Sequence, residues 1–155
     1  MLTFEPLETV FVVTAFLFQV VLILHFAMRK WRFRTALRYG PVVYALSIPA
    51  AVVSVLLLTG GLSWSFVLAG FLYLIWALFG YIVEYGKKIE WRKSLRWPIF
   101  IPYILLYLAT VMFYWFPLAL IDRALWTAYA VLFAASTILN LTSHNDPGER
   151  SSLPV

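Results

Sequence analysis

Residues 7–38 read LETVFVVTAFLFQVVLILHFAMRKWRFRTALR, a long apolar run followed by five basic residues. The apolar part, residues 7–28, is long enough to cross the ~30 Å hydrocarbon layer as a helix, because each helical residue advances about 1.5 Å. A basic cluster after such a run is typical of the point where a helix leaves the membrane. The stretch therefore predicts an integral membrane protein.

The rest of the chain continues this pattern. Of its 155 residues, 63% are hydrophobic and 12% charged, and the mean hydropathy is +0.88. A water-soluble domain of this size could not bury so much apolar surface. Cysteine is absent, which excludes disulfides, thiolate metal sites and cysteine nucleophiles. We predict one all-α domain over residues 1–142, an integral membrane bundle of five transmembrane helices at about 7–28, 41–59, 66–83, 99–116 and 124–141.

Proline and aspartate mark several helix ends. Pro98 is expected to open the fourth helix, and Asp122 is placed to cap the fifth. Pro117 is expected to follow the end of the fourth helix, with residues 116–121 lying in the membrane interface. Pro49 predicts a kink in the second helix. The tail from 143 to 155 contains Asp-Pro-Gly and is predicted to be short, cytoplasmic and disordered.

Orientation follows from the basic residues, ten of which fall in two short predicted loops. Because two crossings separate these loops, both lie on one side, which the positive-inside rule assigns to the cytoplasm. The N-terminus is then outside and the C-terminus cytoplasmic, in the plasma membrane, or the cytoplasmic membrane if the source is bacterial. The two loops contain Arg29, Lys30, Arg32, Arg34 and Arg38, and Lys87, Lys88, Arg92, Lys93 and Arg96.

The two basic loops also resemble each other. Residues 31–41 read WRFRTALRYGP, and residues 91–98 read WRKSLRWP. Two parallel helical hairpins plus an extra fifth helix would explain the likeness. The shared needs of any short cytoplasmic linker, which are positive charge, interfacial aromatics and a helix start, would also explain it. The net charge of +5 thus reports topology and not nucleic-acid binding, and the expected partner is the lipid bilayer.

A polar and aromatic stripe runs along the fourth predicted helix. Its members are spaced by three and four residues, which places them on one face, and hydroxyls in hydrocarbon need hydrogen-bond partners. The stripe should therefore face other helices or a cavity, as should the one tryptophan predicted at mid-membrane. These candidate pocket or interface residues are Tyr103, Tyr107, Thr110, Tyr114 and Trp76. Small residues predict packing faces on the second helix (Ser47, Ala50, Ala51, Ser54) and on the fifth (Ala124, Ala128, Ala135).

Strongly polar groups within the predicted spans are few. His25, Glu84 and Asn140 share a depth near the inner leaflet, and a His–Glu pair there could relay a proton or bind a polar headgroup. The alternative is that Glu84 pairs with Lys88 one turn away, His25 is solvated and Asn140 ends its helix. Gln19 lies deeper and is expected to make an interhelical hydrogen bond.

The sequence carries no catalytic signature and predicts no cofactor and no metal. It has two histidines, too few for a multi-histidine site. The favoured hypothesis is a non-catalytic accessory or scaffold component whose polar stripes meet the helices of a partner membrane protein or of a second copy of itself. The alternative is a binder or carrier of a small lipophilic molecule, with the tyrosine stripe and Trp76 as pocket walls. An enzyme acting on lipid is the least supported.

The predicted topology can be tested with reporter fusions. A reporter that is active only in the cytoplasm should be active when fused after Val155 and inactive when fused before Leu2, because an odd number of crossings places the termini on opposite sides. A second reporter that is active only outside should give the reverse pattern. Exchange of the two patterns would contradict the orientation.

Overall fold

The computed structural model describes residues 5–89 and 96–142. Within these ranges the chain is entirely helical apart from short connections. The helices are α1 (Pro6–Trp31), α2 (Phe33–Ala45), α3 (Ser47–Thr59), α4 (Trp64–Tyr81), a π-helix (Ile82–Gly86), α5 (Trp97–Ile121) and α6 (Arg123–Thr142).

Five helical segments are long and apolar enough to cross a membrane, which confirms the predicted helical membrane bundle. In α1, α5 and α6 a single helix forms the span, whereas α2 and α3 together form the second span, and α4 with the π-helix forms the third. The segments are Pro6–Trp31, Phe33–Thr59, Trp64–Gly86, Trp97–Ile121 and Arg123–Thr142. The predicted disordered tail, 143–155, lies outside the described residues.

Two predicted helix limits are wrong. The second span begins at Phe33 instead of residue 41, so the first basic loop is largely helical and only Arg32 separates α1 from α2. The fourth span continues through Pro117, which is buried, to Ile121. Residues 116–121 are apolar, and continuing the helix keeps their backbone groups bonded within hydrocarbon. The other limits differ from prediction by three residues or fewer. Asp122 accepts hydrogen bonds from the N–H groups of Ala124 and Leu125 at 2.5 and 3.3 Å, so it caps α6 as expected.

The predicted irregularity in the second span lies at Leu46, where α2 ends and α3 begins. Pro49 accounts for its position, because a proline ring clashes with the carbonyl four residues earlier. Side chains bond the carbonyls around this break. Tyr73 of α4 donates to the carbonyl of Val43, and the Ser47 hydroxyl donates to the carbonyl of Tyr44 at 2.6 Å.

The second span contains another proline, Pro41, and a tyrosine replaces the backbone hydrogen bond that this proline cannot donate. Pro41 lies inside α2 and lacks the N–H that would bond the carbonyl of Leu37. The hydroxyl of Tyr85, at the end of the third span, donates to that carbonyl at 3.2 Å. The third span thus supplies hydrogen bonds to the irregular backbone of the second.

The five spans form a closed ring in chain order. The main packing partners are α1 with α2, α3 with α4, α4 with α5, and α5 with α6, and α6 also packs extensively against α1. The fifth span is therefore the element that closes the ring. Since α1 and α6 are the first and last of an odd number of crossings, they run parallel, whereas the other ring neighbours are antiparallel.

Aromatic side chains fill the ring, and aliphatic side chains cover its outer surface. Phe11, Phe18 and Trp76 are among the largest buried groups. Every span also has large aliphatic side chains that are about half exposed or more: Val13, Val52, Ile75, Leu105 and Val131. This distribution suits a molecule whose surroundings are acyl chains and whose interior excludes them.

The backbones of α3 and α4 approach each other closely at Gly70. A Cβ atom built on Gly70 would lie 2.3 Å from the carbonyl oxygen of Ala50 and 2.3 Å from the Ser54 hydroxyl, so only glycine fits. Ala50 and Ser54 are buried together with Ser47, which confirms the small-residue packing face on the second span. The equivalent prediction for α6 is wrong inside this chain, because Ala124 and Ala128 are exposed on the bundle surface and Ala135 is half-buried.

Gly70→Ala should destabilise the protein by about 1–3 kcal/mol, because the added methyl group overpacks the α3–α4 contact. Gly86→Ala is the matched control, since the nearest atom to a Cβ there is 3.9 Å away. Thermal unfolding in detergent micelles measures both. Equal melting temperatures for the two variants would contradict the close approach.

Candidate functional site

Trp76 lies at the centre of an aromatic cluster in the ring interior. It is 2% exposed, and its ring centroid lies 5.5 Å from that of Tyr103, 5.8 Å from that of Tyr107 and 5.9 Å from those of Tyr44 and Tyr73. Separations of this size are those of aromatic rings in contact. The structure thus brings Trp76, Tyr103 and Tyr107 together in a packed cluster.

The remaining residues of the predicted stripe, Thr110 and Tyr114, extend the same face of α5. Thr110 is fully buried, and its hydroxyl bonds the carbonyl of Leu106 at 2.8 Å. Tyr114 is also buried, and its ring lies 4.9 Å from that of Phe18. All four stripe residues therefore point into the bundle, as their spacing along one helix face predicts.

Glu84 belongs to a second cluster, at the basic end of the bundle. Tyr44 donates a hydrogen bond to the Glu84 Oε2 atom at 2.8 Å, and the hydroxyl of Tyr103 lies near that of Tyr44. Glu84 is also within electrostatic range of Arg29. It lies in the π-helix Ile82–Gly86, and such segments are frequent at functional positions. Lys88, the alternative partner of Glu84 four residues further along the chain, lies beyond the end of the π-helix and has a φ of 49°.

The other two members of the predicted inner cluster, His25 and Asn140, lie at this same end. Lys30 donates to the Thr142 hydroxyl at 3.2 Å, which fixes the end of α6 beside the end of α1. Within residues 5–89 and 96–142, the Nδ1 atom of His25 is buried and has no hydrogen-bond partner. His25 is half-buried and packs beside Phe26, with 5.7 Å between ring centroids. The Glu84 contact to Tyr44 was not foreseen, because 40 residues separate them and no local pattern links them.

Eight of the nine described basic residues lie at one end of the bundle, and Arg123, at the start of α6, lies at the other. Arg29 and Lys30 lie in the last turn of α1 and Arg32 follows it, Arg34 and Arg38 lie on α2, Lys87 and Lys88 follow the third span, and Arg96 precedes α5. Arg92 and Lys93 lie outside the described residues. Trp31 and Trp97 at this end are mostly exposed, as suits an interface. At the opposite end Trp115 stacks on Trp126, with centroids 5.1 Å apart.

A line of polar side chains lies between α1, α5 and α6. We call it the polar seam: Gln19 of α1, Tyr107, Thr110 and Tyr114 of α5, and Tyr129 and Ser136 of α6, all buried. Gln19 Nε2 donates to the Ser136 hydroxyl at 2.6 Å, which confirms the expected interhelical hydrogen bond of Gln19. Sequence reasoning missed Tyr129 and Ser136. Their separation by seven residues places them on one helix face and was the available signal.

Tyr44→Phe should lower the stability of the bundle by about 1–2 kcal/mol, because it removes a hydroxyl that bonds a carboxylate. Tyr81→Phe is the matched control: the two rings are neighbours, 6.5 Å apart, but Tyr81 is 46% exposed. Chemical unfolding in mixed micelles compares both with the unaltered protein. Identical unfolding midpoints for the two variants would show that the Tyr44–Glu84 bond contributes no stability.

The arrangement has no close match among known proteins. No family model matches the chain, and no curated protein and no solved structure matches it. Over residues 5–89 and 96–142, no three or more His, Cys, Asp or Glu side chains form a group that could hold a metal ion. A functional assignment therefore rests on the residues of this chain, which is a multi-pass membrane protein with a five-span helical ring.

Proposed function

We propose that this protein is a non-catalytic component of a membrane assembly and that it meets its partner through the outward face of α6. The partner is a transmembrane helix of another membrane protein or of a second copy of the chain. The observation that carries the proposal is the composition of this outward face, in which four of the six exposed residues are alanine or threonine. Its residues are Ala124, Thr127, Ala128, Val131, Ala134 and Ile138.

The fifth span is the least enclosed of the five. Only Tyr129 and Ser136 of α6 are buried, although the helix packs against both α1 and α5. The exposed residues recur at spacings of three and four, so they form one continuous face along the helix. A large helical surface is therefore available at the point where the ring closes.

Small residues at these positions favour a helical partner over lipid. Helices in membranes associate through close backbone approach, which alanine, glycine, serine and threonine permit. This chain already uses that principle internally, where Gly70 meets Ala50. The outward face of α1 differs from that of α6, because valine and leucine, such as Leu17 and Leu24, stand where α6 has alanine and threonine. Thr127 adds no unbonded donor to the face, since its hydroxyl bonds the carbonyl of Arg123 at 2.9 Å.

The alternative function, carriage of a lipophilic molecule between Trp76 and the tyrosine stripe, has weaker support. The ring centroid of Trp76 lies 5.5 Å from that of Tyr103 and 5.8 Å from that of Tyr107, which is contact distance. The proposal includes the cellular placement: the plasma membrane, or its bacterial equivalent, with the basic end and the C-terminus in the cytoplasm. Anionic headgroups would then surround the exposed Arg34 and Arg38.

The double variant Ala124→Leu/Ala128→Leu tests the interface. Its leucines point outward, so the bundle should fold and melt as before, whereas close approach of a partner helix is blocked. After purification from native membranes in mild detergent, the unaltered protein should carry a stoichiometric partner or a second copy. The double variant should lose most of it.

Val52→Leu is the matched control, because Val52 is 55% exposed on the second span and away from α6. It should retain the partner. Monomeric protein without a co-purifying partner, from membranes that also yield other assemblies intact, would contradict the proposed function. Equal recovery of the partner with both variants would contradict the assignment to α6.

A further inference from the structure

The polar seam contains hydrogen-bonding atoms that no protein atom satisfies. In the described part of the chain, the hydroxyls of Tyr107, Tyr114 and Tyr129 and the Oε1 atom of Gln19 are buried without a hydrogen-bond partner. These side chains are at most 6% exposed, and Gln19 and Tyr129 are 0% exposed. The atoms are thus shielded from the surroundings of the bundle.

The side chains that carry these atoms come from three helices that pack together, α1, α5 and α6. Gln19 is tied to Ser136 at 2.6 Å, and the Tyr107 hydroxyl lies beside Ser136. Tyr107 and Tyr114 are two turns apart on α5, as Tyr129 and Ser136 are on the antiparallel α6. The register that sets Tyr107 beside Ser136 therefore sets Tyr114 opposite Tyr129, and Tyr129 is within electrostatic range of both tyrosines.

Burial of these atoms without hydrogen-bond partners is energetically unfavourable, and a conservative substitution would remove the penalty. A buried hydroxyl that loses water without gaining a bond is destabilising, and phenylalanine would fill the same volume without that penalty. Aromatic rings already line this region: Phe16 lies 5.8 Å from Tyr129 and Phe18 lies 4.9 Å from Tyr114, between centroids. Three tyrosines at such positions indicate a hydrogen-bonding occupant.

We propose that the polar seam binds a small neutral molecule that both donates and accepts hydrogen bonds. Gln19 Oε1 only accepts, so the occupant must donate, and a tyrosine hydroxyl can bond to either function. The seam residues carry no formal charge, which favours a neutral ligand over an ion. Water and a membrane-soluble alcohol share this chemistry. The site lies on the inward side of α6 and is independent of the outward face proposed for assembly.

The sign of a stability change tests for an occupant. If the seam is occupied, Tyr114→Phe and Tyr129→Phe each remove a bond and should lower the melting temperature, by about 2–4 °C for a chain of this size. Tyr107→Phe is a further variant with the same expectation. Tyr39→Phe, at a position 49% exposed, is the control and should leave the melting temperature unchanged. If the hydroxyls have no partner, the seam variants should melt higher than the unaltered protein, and the proposal fails.

Two measurements on the purified protein identify the source of the ligand. Solvent extraction and mass spectrometry should detect a stoichiometric neutral hydroxyl compound if the occupant is organic, and Tyr114→Phe/Tyr129→Phe should lose it. If the occupant is water, no compound is retained. Infrared difference spectra should then show O–H stretches of bound water that the same double variant lacks. Absence of both signals, together with a higher melting temperature of the double variant, would overturn the site.

Discussion

The constraint on which this structure depends is that hydrocarbon offers no hydrogen bonds to the backbone. Inside a helix the backbone N–H and C=O groups bond one another except near prolines. The second span contains two prolines, Pro41 and Pro49. Tyrosines of the neighbouring span bond two carbonyls of the second span: Tyr85 bonds that of Leu37, which the missing N–H of Pro41 leaves free, and Tyr73 bonds that of Val43, close to the break at Leu46. The break between α2 and α3 is therefore held by contacts across the bundle as well as by the chain itself.

The same constraint shapes the interior. A tyrosine ring packs like phenylalanine but brings a hydroxyl that needs a partner, so a buried tyrosine whose hydroxyl bonds another helix fixes the position of the two helices relative to each other. Tyr44 does this at the basic end, through Glu84 on the π-helix. The interior thus combines aromatic packing around Trp76 with polar contacts at defined depths, and apolar side chains make up the outer surface.

Sequence reasoning succeeded where the signal was local. Hydrophobic runs gave the five spans, and spacing along α5 gave the inward face of Tyr103, Tyr107, Thr110 and Tyr114. It failed where the outcome depended on the surroundings: Pro117 did not end its helix, because continuing it was the way to keep the backbone bonded. The Tyr44–Glu84 contact and the ring order of the spans could not be predicted either, since both arise from packing between segments distant in sequence.

Closure of the ring by the last span has a consequence for biosynthesis. The ribosome delivers α1 first and α6 last, so Gln19 enters the membrane long before Ser136, its bonding partner, has been translated. Until Ser136 arrives, the side-chain amide of Gln19 must face lipid, the translocation machinery or a chaperone. The final helix is therefore the one whose arrival completes the interior, and a nascent chain that stalls before residue 123 exposes the polar side of its own first helix.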